Sequence, residues 1–173
     1  MPESYRPHLR KDKKDERTTT QSLATNTTDA NATVGNVLGG TRGTVFSIRP
    51  GDTLHDAVVL LRDHRIGALV VTDENGRLQG ILSERDIVRK LADAPGKTLP
   101  HRVEEVMTRN VVTCAPEDAL VNVLRRMTEG RFRHMPVIEG DRLIGIVTIG
   151  DVVNYRLNQL EHEALQIKQL IVG

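Results

Sequence analysis

Tryptophan is missing from this 173-residue chain, and aromatic residues of every kind make up only 2% of it. Stacking platforms of the kind that grip single-stranded nucleic acid are therefore nearly absent. An excess of one charge is lacking too: 24 Lys and Arg stand against 23 Asp and Glu, a formal net charge of +1. Dedicated nucleic-acid binders carry a strong basic surplus, so nucleic acid is not an expected partner. A lone cysteine, Cys114, excludes an intrachain disulfide framework and a cysteine-based metal cage. No apolar run approaches the roughly 20 residues that span a bilayer. The N-terminal stretch mixes Glu3, Asp12, Asp15 and Glu16 among its Lys and Arg and holds no apolar signal core. The expectation is a soluble cytoplasmic protein of one ordinary domain or two small ones.

What is present begins unevenly. Residues 1–17 are a mixed-charge run, and residues 18–32 read TTTQSLATNTTDANA. Small polar residues without apolar period cannot offset the entropy of ordering, so residues 1–32 are expected to be a disordered arm.

The remainder repeats itself. VFSIRPGDTLHDAVVLLRDHRIGALVV from Val45 aligns with VVTCAPEDALVNVLRRMTEGRFRHMPV from Val111, matching Pro50 to Pro116, Asp52 to Asp118 and Leu54 to Leu120. After a one-residue deletion, RLQGILS from Arg77 meets RLIGIVT from Arg142, and Asp86 meets Asp151. A leading segment repeats as well, residues 34–38 resembling 103–107. The units span 33–95 and 102–156, with Ala94-Pro95-Gly96 as punctuation between them.

Each unit reads strand–helix–strand–strand–helix. Extended pieces are expected at 45–48 and 111–114. The first helices carry Leu54, Ala57, Val58 and Leu61, and Leu120, Val123, Leu124 and Met127, both sets spaced along one helix face. Asp52 or Thr53, and Asp118, are the expected N-caps. Hairpins follow at 68–71 with 78–82 and at 135–138 with 143–147, turning at Glu74-Asn75-Gly76 and Gly140-Asp141. Second helices open at Ser83 and Thr148. Units this small gain by packing on each other, so the expected fold is α+β, a pseudo-twofold module of two β-α-β-β-α repeats. The last helix runs beyond the second unit, through 157–173. Val153, Leu157, Leu160, Ala164, Ile167 and Leu170 make a continuous stripe that calls for self-association.

The paired signatures Gly80-Ile81-Leu82-Ser83-Glu84-Arg85-Asp86 and Gly145-Ile146-Val147-Thr148-Ile149-Gly150-Asp151 stand in register, with Arg133-His134-Met135-Pro136-Val137 beside the second. The pattern resembles the tandem CBS-domain pair, or Bateman module, of small stand-alone bacterial and archaeal proteins. That resemblance implies adenosine-compound binding (AMP, ADP, ATP, S-adenosylmethionine or NAD(H)) in clefts between the units. It also implies a homodimer, no catalysis of its own and no required metal. Lacking an effector domain, such a module signals energy or redox state through an unidentified effector protein. The alternative is an interaction scaffold with vestigial clefts.

The residues themselves fit a nucleotide. Ser83 and Thr148 stand where a strand becomes a helix, a place suited to anions. Asp86 and Asp151, one turn later, only accept hydrogen bonds and so suit the two donor hydroxyls of a ribose. Ser/Thr-x-x-Asp also matches a capping box, and both roles can coincide. By the resemblance, Arg133 and His134 reach phosphate, with Arg85 compensating for Gly67 and Ala68, which occupy the matching places in the first unit. Two adjacent cations on a regular strand would face opposite ways, so a bend is expected before Pro136. Val112, Phe132, Met135 and Ile146 of the second unit, and Phe46, Ile66, Leu69 and Ile81 of the first, are the candidate walls for adenine. Pro95-Gly96-Lys97-Thr98 lacks the earlier glycine of a phosphate-binding loop, and Cys114 reads as a buried small hydrophobe rather than a nucleophile.

Overall fold

The computed structural model describes residues 32–39 and 45–172. Apart from Ala32, the expected arm lies outside the described residues. The first repeat contains β1 (Ser47–Ile48), α2 (Leu54–His64), β2 (Ala68–Thr72), β3 (Leu78–Ser83) and α3 (Glu84–Asp93), preceded by a short α1 (Val34–Leu38). The second contains α4 (Leu120–Gly130), β4 (His134–Glu139), β5 (Arg142–Thr148) and α5 (Ile149–Val172), preceded by a 3-10 turn at Val103–Glu105. The architecture is α+β, as the duplicated pattern implies.

β1 pairs parallel to β2, and β2 antiparallel to β3. β4 and β5 pair antiparallel in a second sheet. The strand expected at 111–114 shrinks to a single parallel bridge from Cys114 to Val137. Proline is the reason. In the first repeat the Val70 N–H donates to the Phe46 carbonyl at 3.3 Å. Pro136 holds the matching place and has no N–H, so the ladder cannot extend to Val112.

The caps divide between expectation and correction. Thr53 caps α2, its hydroxyl taking the Asp56 N–H at 3.2 Å while the Asp56 carboxylate takes the Thr53 N–H at 3.1 Å. Asp118 does not cap α4. Alanine, Ala119, sits where Thr53 sits, and Asp118 instead accepts from the Ala115 N–H at 3.1 Å and from Arg126 at 2.7 Å.

Leading segments are exchanged between the repeats. Val34 is fully buried in the second core, against Leu120, Val123, Met135 and Val147. Val103 and Met107 complete the first core, against Leu54, Leu61, Leu69 and Leu82. The backbone repeats the exchange bond for bond. Val34 N–H donates to Asp118 O at 2.9 Å and Val103 N–H to Asp52 O at 2.9 Å; Gly35 donates to Pro116 O at 2.7 Å and Glu104 to Pro50 O at 3.0 Å. Each repeat thus finishes its core with the segment that introduces the other.

That exchange explains the signature glycines. A Cβ at Gly80 would lie 2.8 Å from Met107 Sδ and 2.9 Å from the Thr108 carbonyl, whose chain bridges to Ile81. At Gly145 it would lie 3.0 Å from Leu38. Gly80→Ala should therefore cost about 1–3 kcal/mol by overpacking against fixed backbone. Gly51→Ala, where an added Cβ would meet nothing within 4 Å, should cost less. Thermal denaturation of both variants checks this.

Candidate functional site: two clefts between the repeats

Exchange brings the helix start of one repeat against the strand edge of the other, and a hollow opens at each junction. The larger has a cavity volume of about 640 Å³. Ile81, Ser83, Arg85, Asp86 and Arg89 line it from the first repeat; Val112, Arg131, Phe132, Arg133 and His134 line it from the second. The smaller, about 260 Å³, joins Ile146 and Thr148 of the second repeat to Phe46, Arg65, Ile66 and Ala68 of the first. Specific small-molecule sites commonly occupy about 300–1,000 Å³, so the first has room for a nucleotide-sized guest and the second is tight. Gly67 and His134 border both. They touch: a Cβ at Gly67 would sit 3.2 Å from the His134 ring, so a side chain there would press on the partition.

Ser83 and Thr148 close full capping boxes. Ser83 Oγ donates to Asp86 Oδ2 at 2.6 Å, and the Ser83 N–H to the same oxygen at 2.9 Å. Thr148 and Asp151 repeat this at 2.7 and 2.8 Å. The helix start is less open to an anion than its sequence implies. The Glu84 N–H is spent on the Gly67 carbonyl at 3.0 Å, and the Asp86 N–H on Ser83 Oγ at 3.4 Å. The cap occupies Oδ2 and leaves Oδ1 of Asp86 for another donor.

Cations gather on one side. Arg85, Arg89, Arg131 and Arg133 surround the larger cleft, against the carboxylates of Glu84 and Asp86. Arg85 reaches across the junction, donating to the Arg131 carbonyl at 2.9 Å. Arg65 and Arg131 are the non-glycine residues with positive φ among those described, at 54° and 55°. They end α2 and α4 at matched places, one on each cleft. A left-handed backbone costs an L-residue about 1–2 kcal/mol, which glycine would avoid. Arginine stands there in both repeats.

Residues 34–93 and 103–158 each match the CBS domain family. The chain belongs to that family. It is 36% identical over 126 residues to the CBS domain-containing protein CBSX3, mitochondrial, of Arabidopsis thaliana, across 70% of this chain and 61% of that relative. The chain thus spans less than two thirds of that relative's length. A CBS-domain containing protein from Agrobacterium tumefaciens superposes with a TM-score of 0.70 at 40% identity, over 72% of this chain and 99% of the other. The structure of CBSX2 in complex with AMP gives 0.65 at 28% identity, over 73% and 97% of the two chains. The CBS pair of MJ0100 in complex with methylthioadenosine and S-adenosyl-L-methionine gives 0.65 at 27%, over 74% and 98%.

Within this CBS pair the candidate residues regroup across the repeats. Val112 and Phe132 face the same cleft as Ile81, not Ile146; Phe46 and Ala68 share theirs with Ile146 and Thr148. Phe46 also stacks on His64, ring centroids 3.9 Å apart. Met135, Leu69 and Pro136 lie outside both hollows. Met135 is fully buried in the second core, and Leu69 in the first. Pro136 is buried as well, its carbonyl taking the Cys114 N–H at 3.0 Å. Asp151 also lines neither cleft; its carboxylate closes the Thr148 cap. Arg131, next to the expected pair Arg133 and His134, and Arg89, one turn beyond Arg85, join the lining without having been expected there. The bend expected before Pro136 falls at Arg133, ahead of β4, which begins at His134.

Burial pushes the His134 imidazolium below its ordinary 6.5; Glu84 and Asp151 pull it back up and Arg133 reinforces the drop. The ring is neutral at neutral pH, so it offers the cleft a hydrogen-bonding group, and the positive charge there comes from the arginines. A histidine with a lowered folded value contributes stability that is present above pH 6.5 and is lost as pH falls through that folded value. The unliganded protein should therefore weaken on acidification below pH 6.5, and His134→Asn should flatten that part of the curve. Denaturant titrations at several pH values test it.

Cys114 is buried, and desolvation with Asp118 nearby pushes its thiol up to about 11. A protonated, covered thiol is a poor nucleophile. Among the described residues no group of three or more His, Cys, Asp or Glu could hold a metal, and no helix is long and apolar enough to cross a membrane.

Proposed function

We propose that this CBS pair is a regulatory module that binds a phosphate-bearing adenosine compound, AMP, ADP, ATP or NAD(H), in its larger cleft. The observation that carries the reading is the meeting there of Asp86, with one carboxylate oxygen outside its cap, and four guanidinium groups from both repeats. The ribose hydroxyls donate to Asp86, with Ser83 beside it. Phosphate lies toward Arg131 and Arg133, with Arg85 and Arg89 completing the positive rim. Adenine lies against Val112, Phe132 and Ile81. Guanidinium forks match phosphate oxygens and repel a sulfonium, which favours nucleotides over S-adenosylmethionine. AMP held by CBSX2 supports the ligand class. Phe46, Ala68, Ile146 and Thr148 form the subsidiary cleft, where Arg65 is the cation.

The module has no catalysis of its own. Ligand bridging the junction shifts the packing of the two repeats by its differential affinity for the two arrangements, and an effector protein reads the change as energy or redox state. Thermal shift with AMP, ATP and NADH tests the assignment. Asp86→Asn preserves the cap, as Asn36 shows by accepting the Thr33 N–H at 2.8 Å. It should reduce the AMP-induced shift strongly, while Asp151→Asn should leave it nearly intact. Equal effects of the two variants, or no shift with any nucleotide, would count against the assignment.

A further inference from the structure

Helix α5 turns two stripes in different directions. Val152 is buried in the second core, Tyr155 packs against that core, and Gln159 is half-buried farther along. A second stripe, Val153, Leu157, Leu160, Ala164, Ile167 and Ile171, is exposed at every position. All of residues 161–171 are exposed. Helices of this length are marginal in water without packing. The stripe's intervals are four, three, four, three and four residues. That is the alternation of a heptad seam, with Leu157, Ala164 and Ile171 at a and Val153, Leu160 and Ile167 at d.

We propose that α5 pairs with α5 of a second copy as a parallel, in-register coiled coil. The flanking charges choose both partner and direction. In the parallel arrangement each g residue faces the e residue five places on in the other strand. Arg156 then meets Glu161 of the second copy, and Glu163 meets Lys168 of the second copy. Both pairs are opposite in sign. In the antiparallel arrangement with full overlap of the seam, g faces g and e faces e. Glu163 then meets Glu163 of the second copy, and Glu161 meets Glu161. Both of those are like pairs, and Arg156 and Lys168 fall opposite the uncharged Leu170 and Asn154. The seam is thus self-complementary in one orientation and self-repelling in the other. Its residues line neither cleft.

The test is a cross-link. Leu160→Cys places a thiol at a d position, where two parallel strands bring the same residue face to face. Buried Cys114 supplies an internal control. Mild oxidation of the full chain should give a covalent dimer in high yield, and adding Ile167→Asp should abolish it. Both substitutions are at exposed positions, and circular dichroism with thermal melts verifies that the fold survives. Glu163→Lys should weaken self-association by about ten-fold, read by sedimentation, because it sets lysine against Lys168. Glu163→Lys with Lys168→Glu should restore it. Failure to cross-link, or a tighter assembly with Glu163→Lys alone, overturns the proposal. No nucleotide enters this assay, so its failure and that of the ligand assignment remain separate.

Discussion

Replacing both Arg131 and Arg133 by alanine should weaken AMP binding by about a hundred-fold. Hydrogen bonds to charged groups contribute about 1.5–3 kcal/mol each, and these side chains are exposed, which favours the lower end. Two such losses give about 3 kcal/mol, and each 1.4 kcal/mol is ten-fold. Folding stability should barely change, since neither side chain is buried and alanine bears the left-handed turn at Arg131 about as well as arginine does. Adenosine, which has no phosphate, should bind both proteins alike. Calorimetric titration of AMP and adenosine into each protein therefore separates a lost phosphate contact from a distorted cleft. Parallel losses for the two ligands would assign the arginines a structural role instead.

Val34→Asp should cripple the second repeat, although Val34 stands at the head of the first in the sequence. Its side chain is fully buried among the second core's residues, and α1 lies against β5 and α5. An unpaired carboxylate there costs several kcal/mol, on the order of 3 or more, on top of the lost apolar burial. Hydrogen exchange should show protection falling first in α4, β4 and β5. Val103→Asp, its counterpart, should strike α2, β2 and β3 first. If each substitution instead loosened the repeat to which it belongs by sequence, the exchange of leading segments would be wrong.

Much of this fold can be read from the alignment of the chain with itself. Helix faces, hairpin turns and the Ser83 and Thr148 caps depend on local spacing, and local spacing is what a sequence displays. The exchange does not show in the same way. Self-alignment places Val34 beside Val103, but it cannot say which core receives each. For the same reason the candidate walls sort by repeat in the sequence and across repeats in space. Ser83 works opposite Phe132, and Thr148 opposite Phe46. Two finer misses come from single side chains. Pro136 withholds one N–H and ends a strand pairing, and Ala119 replaces a capping threonine. Both residues were visible, but their effect depends on partners a chain segment does not name. Met135 and Leu69 have the same apolar character as true pocket walls, and only the direction of the strand assigns them to the core.

The most direct measurement is a crystal structure grown with AMP. The phosphate is expected beside Arg131 and Arg133, a ribose hydroxyl on Asp86 Oδ1, and adenine between Ile81 and the Val112–Phe132 edge, all in one crevice built from both halves of the chain. A well-ordered nucleotide whose contacts all come from a single repeat, with the arginines turned to solvent, would contradict the account.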